Sequence, residues 1–310
     1  MCGLIVMEPN NYGRQASVAP SESRPPMNTT SPAKTVVITG TSTGIGLAAA
    51  VAAARSGWHT VATMRDTSRA GALREAAAAA GVADLVEVRQ MDVTDPASVT
   101  ACIDAVVAEH GRLDAVVNNA GAGHVGTLEQ ETVEDVRAVM EVNFFGVLHV
   151  TKAALPHLRA AGGRVLSVTS VGGVVGQPFN EAYCAAKFAV EGFMESLAPV
   201  AATAGVAVTL VEPGAVASEF VNNIGVDVDA MTAAAGPYGD ALRKYIGHAT
   251  GSFGAAQTPA ESVVPLIDAL NADRPPLRVQ TSDQARAFTA LKLTDQDGST
   301  VLDFTSGWVS

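Results

Sequence analysis

From Lys34 onward, short runs of β-branched and apolar residues alternate with Ala-rich stretches whose apolar positions recur every three or four residues. A short continuous apolar run between turn residues predicts a strand covered on both faces, and the longer period predicts an amphipathic helix. Strands are expected at 35–38, 59–64, 85–89, 115–118, 164–169, 206–211 and 276–281. Helices are expected between them at 45–56, 70–80, 97–110, 133–160 and 182–204, with one more at 259–270. Regular strand–helix alternation needs parallel strands joined by right-handed crossovers, which is a doubly wound α/β arrangement. No repeat of fixed period interrupts it.

Three regions break the pattern. Residues 1–33 are rich in Pro, Ser, Asn and Thr and read as a disordered leader. Residues 217–256 lack a clear period and carry many glycines, a composition suited to a mobile lid over a cleft. Residues 301–310 form a short tail.

The 310 residues are 48% hydrophobic and 16% charged, ample for a large core. Lys plus Arg number 20 and Asp plus Glu 31, a formal net charge of −11. So acidic a chain is a poor partner for nucleic acid or an anionic membrane. No apolar run approaches the ~20 residues of a membrane span. The three cysteines are too scattered for a disulfide framework or a zinc site, and a reducing cytoplasm is the expected location. No metal is expected: His124, His149 and His157 lack ligand spacing.

The first chemical signal is Thr39-Gly-Thr-Ser-Thr-Gly-Ile-Gly46, placed between the first strand and the first helix. Glycines let the backbone turn tightly and approach a ligand, and a helix start offers free N–H groups and partial positive charge to a pyrophosphate. The second is Tyr183-x3-Lys187, whose spacing puts both side chains on one helix face. An ammonium beside a phenol stabilises the phenolate and is expected to lower its ordinary pKa of ~10. Taken singly, a glycine turn is also a structural device, and a Tyr–Lys pair is also an ordinary surface pair.

Together these segments are similar to those of the short-chain dehydrogenase/reductase family. The likeness runs in that family's order through Thr39–Gly46, Asp92-Val93, Asn118-Asn-Ala-Gly121, Asn143, Ser170, Tyr183-x3-Lys187 and Pro213-Gly214. It implies a single Rossmann-like α/β domain over 34–300, with a mostly parallel seven-stranded sheet. It implies coenzyme contacts at Gly40, Ser42, Thr43, Gly44, Ile45, Gly46, Asp92, Val93, Asn118, Ala120, Gly121, Tyr183, Lys187, Pro213, Gly214, Val216 and Ser218. It implies catalysis by Asn143, Ser170, Tyr183 and Lys187: Ser170 holds the reacting oxygen, Tyr183 exchanges a proton with it, Lys187 also holds the nicotinamide ribose, and Asn143 serves a water relay.

The acid that reads an NAD ribose would end the second strand, where Met64 and then Arg65 stand. A guanidinium there pairs with a 2′-phosphate, so NADP(H) is expected over NAD(H). The competing reading makes Asp66 the ribose acid and selects NAD(H); in a third, Arg65 and Asp66 are only solvated loop charges.

Ser170–Phe179, Tyr183–Gly192, Ala62–Asp66, Tyr245-x2-His248 and Pro276–Arg278 resemble the branch that contains type 1 17β-hydroxysteroid dehydrogenase and photoreceptor-type retinol dehydrogenase. That resemblance implies a bulky apolar ketone or secondary alcohol as substrate. Ser170, Val174, Phe179, Tyr183, Phe220 and His248 are the candidate substrate contacts, although Val174, Phe179 and Phe220 also read as core and His248 as a solvated side chain. An epimerase or dehydratase on the same fold, or an NADP-binding regulatory protein, are the competing functions. The helices at 133–160 and 182–204 resemble the family's dimer-forming bundle, so a homodimer or homotetramer is expected.

Overall fold

The computed structural model describes residues 33–217, 228–252, 256–295 and 297–308. The expected leader and the candidate residues Ser218 and Phe220 lie outside the described residues.

Seven strands form one sheet: β1 (Thr35–Thr39), β2 (His59–Met64), β3 (Val86–Gln90), β4 (Ala115–Asn118), β5 (Arg164–Val168), β6 (Ala207–Glu212) and β7 (Arg278–Gln280). Their order is β3-β2-β1-β4-β5-β6-β7, and every neighbouring pair is parallel. Chain order reverses between β1 and β4. The carboxyl ends of the strands at such a switch point are where open α/β sheets bind ligands.

The period-2 alternation of strands sorts their side chains into two cores. Val37, Val61, Val116, Val165 and Leu210 join one, while Val36, Ile38, Ala62, Val117 and Leu166 join the other. Each face is covered by helices. On the first face lie α3 (Pro96–His110), α5 (Gly146–Ala161) and α6 (Glu181–Ala202). On the second lies α1 (Gly44–Arg55), whose Ala49, Ala50 and Ala53 are fully buried and let its backbone approach the sheet closely.

The remaining helices are α2 (Gly71–Ala79), α4 (Val133–Met140), α7 (Val228–Ala234), α8 (Gly239–Ser252), α9 (Pro259–Ser262), α10 (Val264–Asn271), α11 (Asp283–Thr294) and α12 (Ser299–Ser306). Local chemistry sets their ends. The side chain of Asp95 accepts from Ala97 N, Pro96 opens α3, and Gly111 closes it at φ +72°. Thr132 and Asp135 form a reciprocal capping box at α4.

Two expected helices differ in the structure. The 133–160 stretch contains a π-helical turn, Glu141–Phe145, between α4 and α5. By length and composition Val133–Ala161 could cross a membrane, yet its Val147, Val150, Ala154 and Leu158 are buried in the first core. The 259–270 stretch breaks at Val263, ahead of Pro265 in the first turn of α10. The aperiodic 217–256 segment carries α7 and α8 among its described residues.

Candidate active site

Past the carboxyl ends of β1 and β4, two loops meet. Gly40 and Gly44 adopt φ of +70° and +59°, in the left-handed region. A Cβ on Gly40 would lie 2.7 Å from the Cα of Ala120, so the loops after β1 and β4 touch backbone to backbone. Asn119 staples them: its Nδ2 donates to the carbonyls of Thr39 at 2.9 Å and Gly40 at 3.0 Å. Thr39 Oγ1 in return accepts from the N–H groups of Asn119 at 3.0 Å and Ala120 at 2.9 Å. Sequence reasoning passed over Asn119 as a site residue, although it lies inside the motif that named its neighbours.

The first turn of α1 has neither a capping side chain from Thr43 nor an acidic residue. Ser42, Thr43, Gly44 and Ile45 are half-buried around it, and Gly46 is buried behind them. Uncapped N–H groups, a positive helix end and flanking hydroxyls suit a dinucleotide's phosphates.

Arg65 is exposed just past β2. Asp66 caps the short turn Thr67–Ala70, with Oδ1 accepting from Ser68 N at 3.0 Å. Hydrogen bonds from Ser68 hold its carboxyl below the usual range, and Arg65 adds to this. Burial pushes Asp92 upward, but hydrogen bonds from Thr94 with the charge of Arg65 leave its carboxyl lowered. The Arg65 guanidinium therefore stands just past the end of β2, with the Asp66 carboxylate accepting from Ser68 beside it. Val93 is buried in the first core. Asn118 is turned inward: its Nδ2 donates to Thr151 Oγ1 at 3.0 Å and Ser167 Oγ at 3.2 Å, a structural role. At the end of β6, Pro213 accepts from Val171 N at 2.9 Å, Gly214 packs near Ala285, and Val216 pairs with Gln257.

The catalytic candidates converge beside this loop. Ser170 ends the strand-to-helix turn after β5, and its Oγ accepts from Gly172 N at 3.0 Å. It also hydrogen-bonds the Tyr183 hydroxyl. Lys187 stands one turn along α6; it is buried and donates from Nζ to the carbonyl of Val168 at 3.1 Å. Its ammonium lies 5.6 Å from the centre of the Tyr183 ring. Asn143 occupies the π-helical turn, fully buried, with Nδ2 donating to Val139 O at 3.1 Å and Ala122 O at 3.0 Å. The extra residue of a π turn re-aims one side chain out of the helical ladder, a device common at functional sites. Gly121 lies between the two: a Cβ there would come 2.7 Å from Asn143 Oδ1 and 3.6 Å from Lys187 Nζ.

Electrostatics depart from the simple expectation of a lowered tyrosine pKa. Burial pushes the Tyr183 phenol upward, and the hydrogen bond with Ser170 counters it. Burial likewise pushes Lys187 down to about 8, against an upward pull from Glu191. Desolvation disfavours whichever form carries charge, so it separates these groups from their free values in opposite directions. Neighbouring Cys184 is buried, and its thiol is pushed up to about 11 by burial, which makes it inert packing.

One turn beyond Lys187, Glu191 is buried and pushed up to about 7 by burial, with Glu212 adding to the rise. It accepts from Thr169 Oγ1 at 2.6 Å and from Arg278 Nε at 3.0 Å. A carboxyl raised by folding favours the native state while protonated, and that contribution is lost as pH rises from about 4.5 to 7. Glu191→Gln is therefore expected to lessen the fall in thermal stability across that window. Melting curves at both ends, parent against variant, check this, and an unchanged or steeper fall refutes it.

The substrate candidates divide. Val174 is half-buried near Ser170 in the chain. Phe179 is buried at φ +56°, its carbonyl accepting from Gly126 N at 2.9 Å. A bulky residue in that region is strained and persists only where packing enforces it. Here its ring lies 5.7 Å from that of Tyr245 on α8, among Ala235 and Leu242, and Asn180 Nδ2 bonds the Tyr245 hydroxyl. Phe179 thus anchors α8 rather than standing free in a cleft. The ring of His248 is exposed and stacks on Trp308 at 4.7 Å. Trp308 in turn packs on Phe288 and Phe304. This use of the tail had no periodic signal in the sequence.

The short chain dehydrogenase family profile matches residues 34–229. Retinol dehydrogenase 8 of Bos taurus is 37% identical over 280 residues, covering 86% of this chain and 87% of its own. Human 17-beta-hydroxysteroid dehydrogenase type 1 is 38% identical over 275 residues, covering 86% and 83%. Among solved structures, a short-chain dehydrogenase from Streptomyces avermitilis superposes with a TM-score of 0.71 at 30% identity, covering 91% of this chain and 100% of that one.

Proposed function

The chain belongs to the short-chain dehydrogenase/reductase family and is an oxidoreductase, and from that premise we propose that it moves a hydride between NADP(H) and a ketone or secondary alcohol on a bulky, apolar substrate. The observation that carries this reading is the Tyr183 hydroxyl bonded to Ser170, with buried Lys187 one helical turn away.

The coenzyme would be held by the uncapped first turn of α1, with its adenosine phosphate toward Arg65 and its ribose toward Lys187. When bound, the nicotinamide supplies or accepts the hydride. The remaining work falls to the chain. Ser170 Oγ donates a hydrogen bond to the substrate oxygen. Tyr183 gives that oxygen a proton during reduction and takes one back during oxidation. Lys187 is lowered to about 8 by burial, against an upward pull from Glu191. In its charged form it stabilises the phenolate that proton donation leaves behind. Asn143 Nδ2 donates to the carbonyls of Ala122 and Val139, which ties the π-helical turn to the loop after β4.

The substrate class rests on the retinol and hydroxysteroid dehydrogenases among the relatives. A homodimer or homotetramer is part of the proposal. Phe145, Phe188 and Phe193 are exposed on and beside α5 and α6, and an aromatic patch of this kind suits a second copy.

Initial-rate kinetics with NADPH and NADH over steroid, retinoid and aromatic ketones test the reading. The parent protein is expected to turn over NADPH preferentially. Arg65→Ala is expected to raise KM for NADPH about 10–100-fold, the scale of one or two charge-assisted hydrogen bonds. KM for NADH should hardly move. A parent that prefers NADH overturns the role of Arg65, and no coenzyme turnover with any ketone or alcohol overturns the redox assignment.

A further inference from the structure

The active site lies at the carboxyl ends of the strands. At their opposite ends, three side chains meet that no sequence spacing announces. His59 opens β2, Glu87 is the second residue of β3, and His110 closes α3. Glu87 pairs with Val61 in the sheet register. Residues 59 and 61 share a strand face, so His59 and Glu87 project to the side that α3 covers. The carboxyl end of α3 brings His110 to them.

Both imidazoles converge on one oxygen. His110 Nε2 lies 2.9 Å and His59 Nε2 3.3 Å from Glu87 Oε2. The three candidate donor atoms all lie within 4.8 Å of one another. The rings sit 4.2 Å apart, tilted by 43°. Zinc–nitrogen and zinc–oxygen distances of about 2.0–2.1 Å make each edge of a tetrahedral ligand set about 3.3 Å. Two edges of this triangle are already near that length, and the His–His edge is within 4.8 Å.

The other oxygen of Glu87 is bound by the Arg89 guanidinium, which also binds Glu109. That contact orients the carboxylate and leaves Oε2 facing the histidines, as outer partners of metal ligands do. The charge of Arg89 is met by two carboxylates, so a dication here would not face an unbalanced cation. The three side chains are 22–29% exposed. That is enough for water to take a fourth position, while two strands and a helix end hold the ligands.

We propose that His59, Glu87 and His110 form a zinc(II) site that clamps β2, β3 and the end of α3, with water as the fourth ligand. The first strand face is about 16 Å long between His59 and Met64 at ~3.3 Å per residue, so the ion sits far from the reacting atoms. It stabilises the fold and takes no part in turnover. Imidazole binds the metal through a nitrogen that carries no hydrogen, so each ring would present a bare Nε2 to the ion and keep its hydrogen on Nδ1.

Untagged full-length protein, freed of metal by chelator, is titrated with zinc chloride against a chromophoric competitor, and its melting temperature is read with and without zinc. One equivalent should bind and raise the melting temperature, with turnover unchanged. His59→Gln and His110→Gln should each weaken binding by more than about 10-fold, the loss that outer partners alone cause, and should abolish the zinc-dependent rise. His124→Gln, which alters a separate His–Glu pair, should change neither. Cobalt(II) bound to the parent should give the intense visible bands of a four-coordinate site, a readout that needs no variant. Absence of a stoichiometric site in the parent, or zinc binding by either glutamine variant as tight as the parent's, overturns the proposal.

Discussion

Tyr183→Phe is expected to lower kcat by about 100- to 10,000-fold, the range over which a positioned proton donor acts, while coenzyme still binds. The substitution removes one oxygen and keeps the ring, so the packing beside Lys187 survives. What disappears is a hydroxyl that is both bonded to Ser170 and next to a buried ammonium. Single-turnover kinetics separate the chemical step from binding, and coenzyme titration by fluorescence checks that the pocket is intact. Near-parental turnover would sink the assignment of Tyr183. The upward push on its pKa sharpens the expectation. A phenol that resists ionisation stays protonated at neutral pH, ready to donate, and the hydrogen bond with Ser170 favours its conjugate base.

Gly46→Ala is expected to give the second large effect, on stability and coenzyme binding together. A methyl group there would overlap the carbonyl oxygen of Gly40 and the Nδ2 of Asn119. Neither can step aside cheaply. The first is backbone in a left-handed turn, and the second holds two carbonyls and joins the loops after β1 and β4. Overpacking of this kind costs about 1–3 kcal/mol or more. The loop that relaxes to absorb it is the one that would cradle the phosphates. Gly192→Ala is the control: a Cβ there meets nothing within 4 Å, and in mid-helix the change should stabilise by about 0.5–1 kcal/mol. Denaturant midpoints and coenzyme titration of both variants check the pair. A Gly46→Ala protein as stable and as competent as the parent would refute the close approach.

The strands and most helices were legible because their signals are local. A buried parallel strand must be apolar on both faces, and an amphipathic helix must repeat every three or four residues, whatever lies around them. The break at Val263 was also visible in principle, since Pro265 cannot continue the preceding helix. The π turn at Glu141–Phe145 was not, because it differs from an α-helix by one residue per turn and leaves no periodic mark. Nor were α7 and α8, where glycines obscure the period and the apolar residues answer to Phe179 in another part of the chain.

By itself, then, the sequence determined the alternating fold, the glycine turn between β1 and α1, and the placing of Tyr183 and Lys187 on one face of α6. Each follows from spacing along a single element. Only the tertiary structure decided the protonation preferences of Tyr183, Lys187 and Glu191, because desolvation depends on everything packed around a group. It alone decided that Asn119 joins two loops, that His248 stacks on Trp308, and that His59, Glu87 and His110 share one corner. Those partners lie tens of residues apart, and a crossover brings them together without writing any period into the chain.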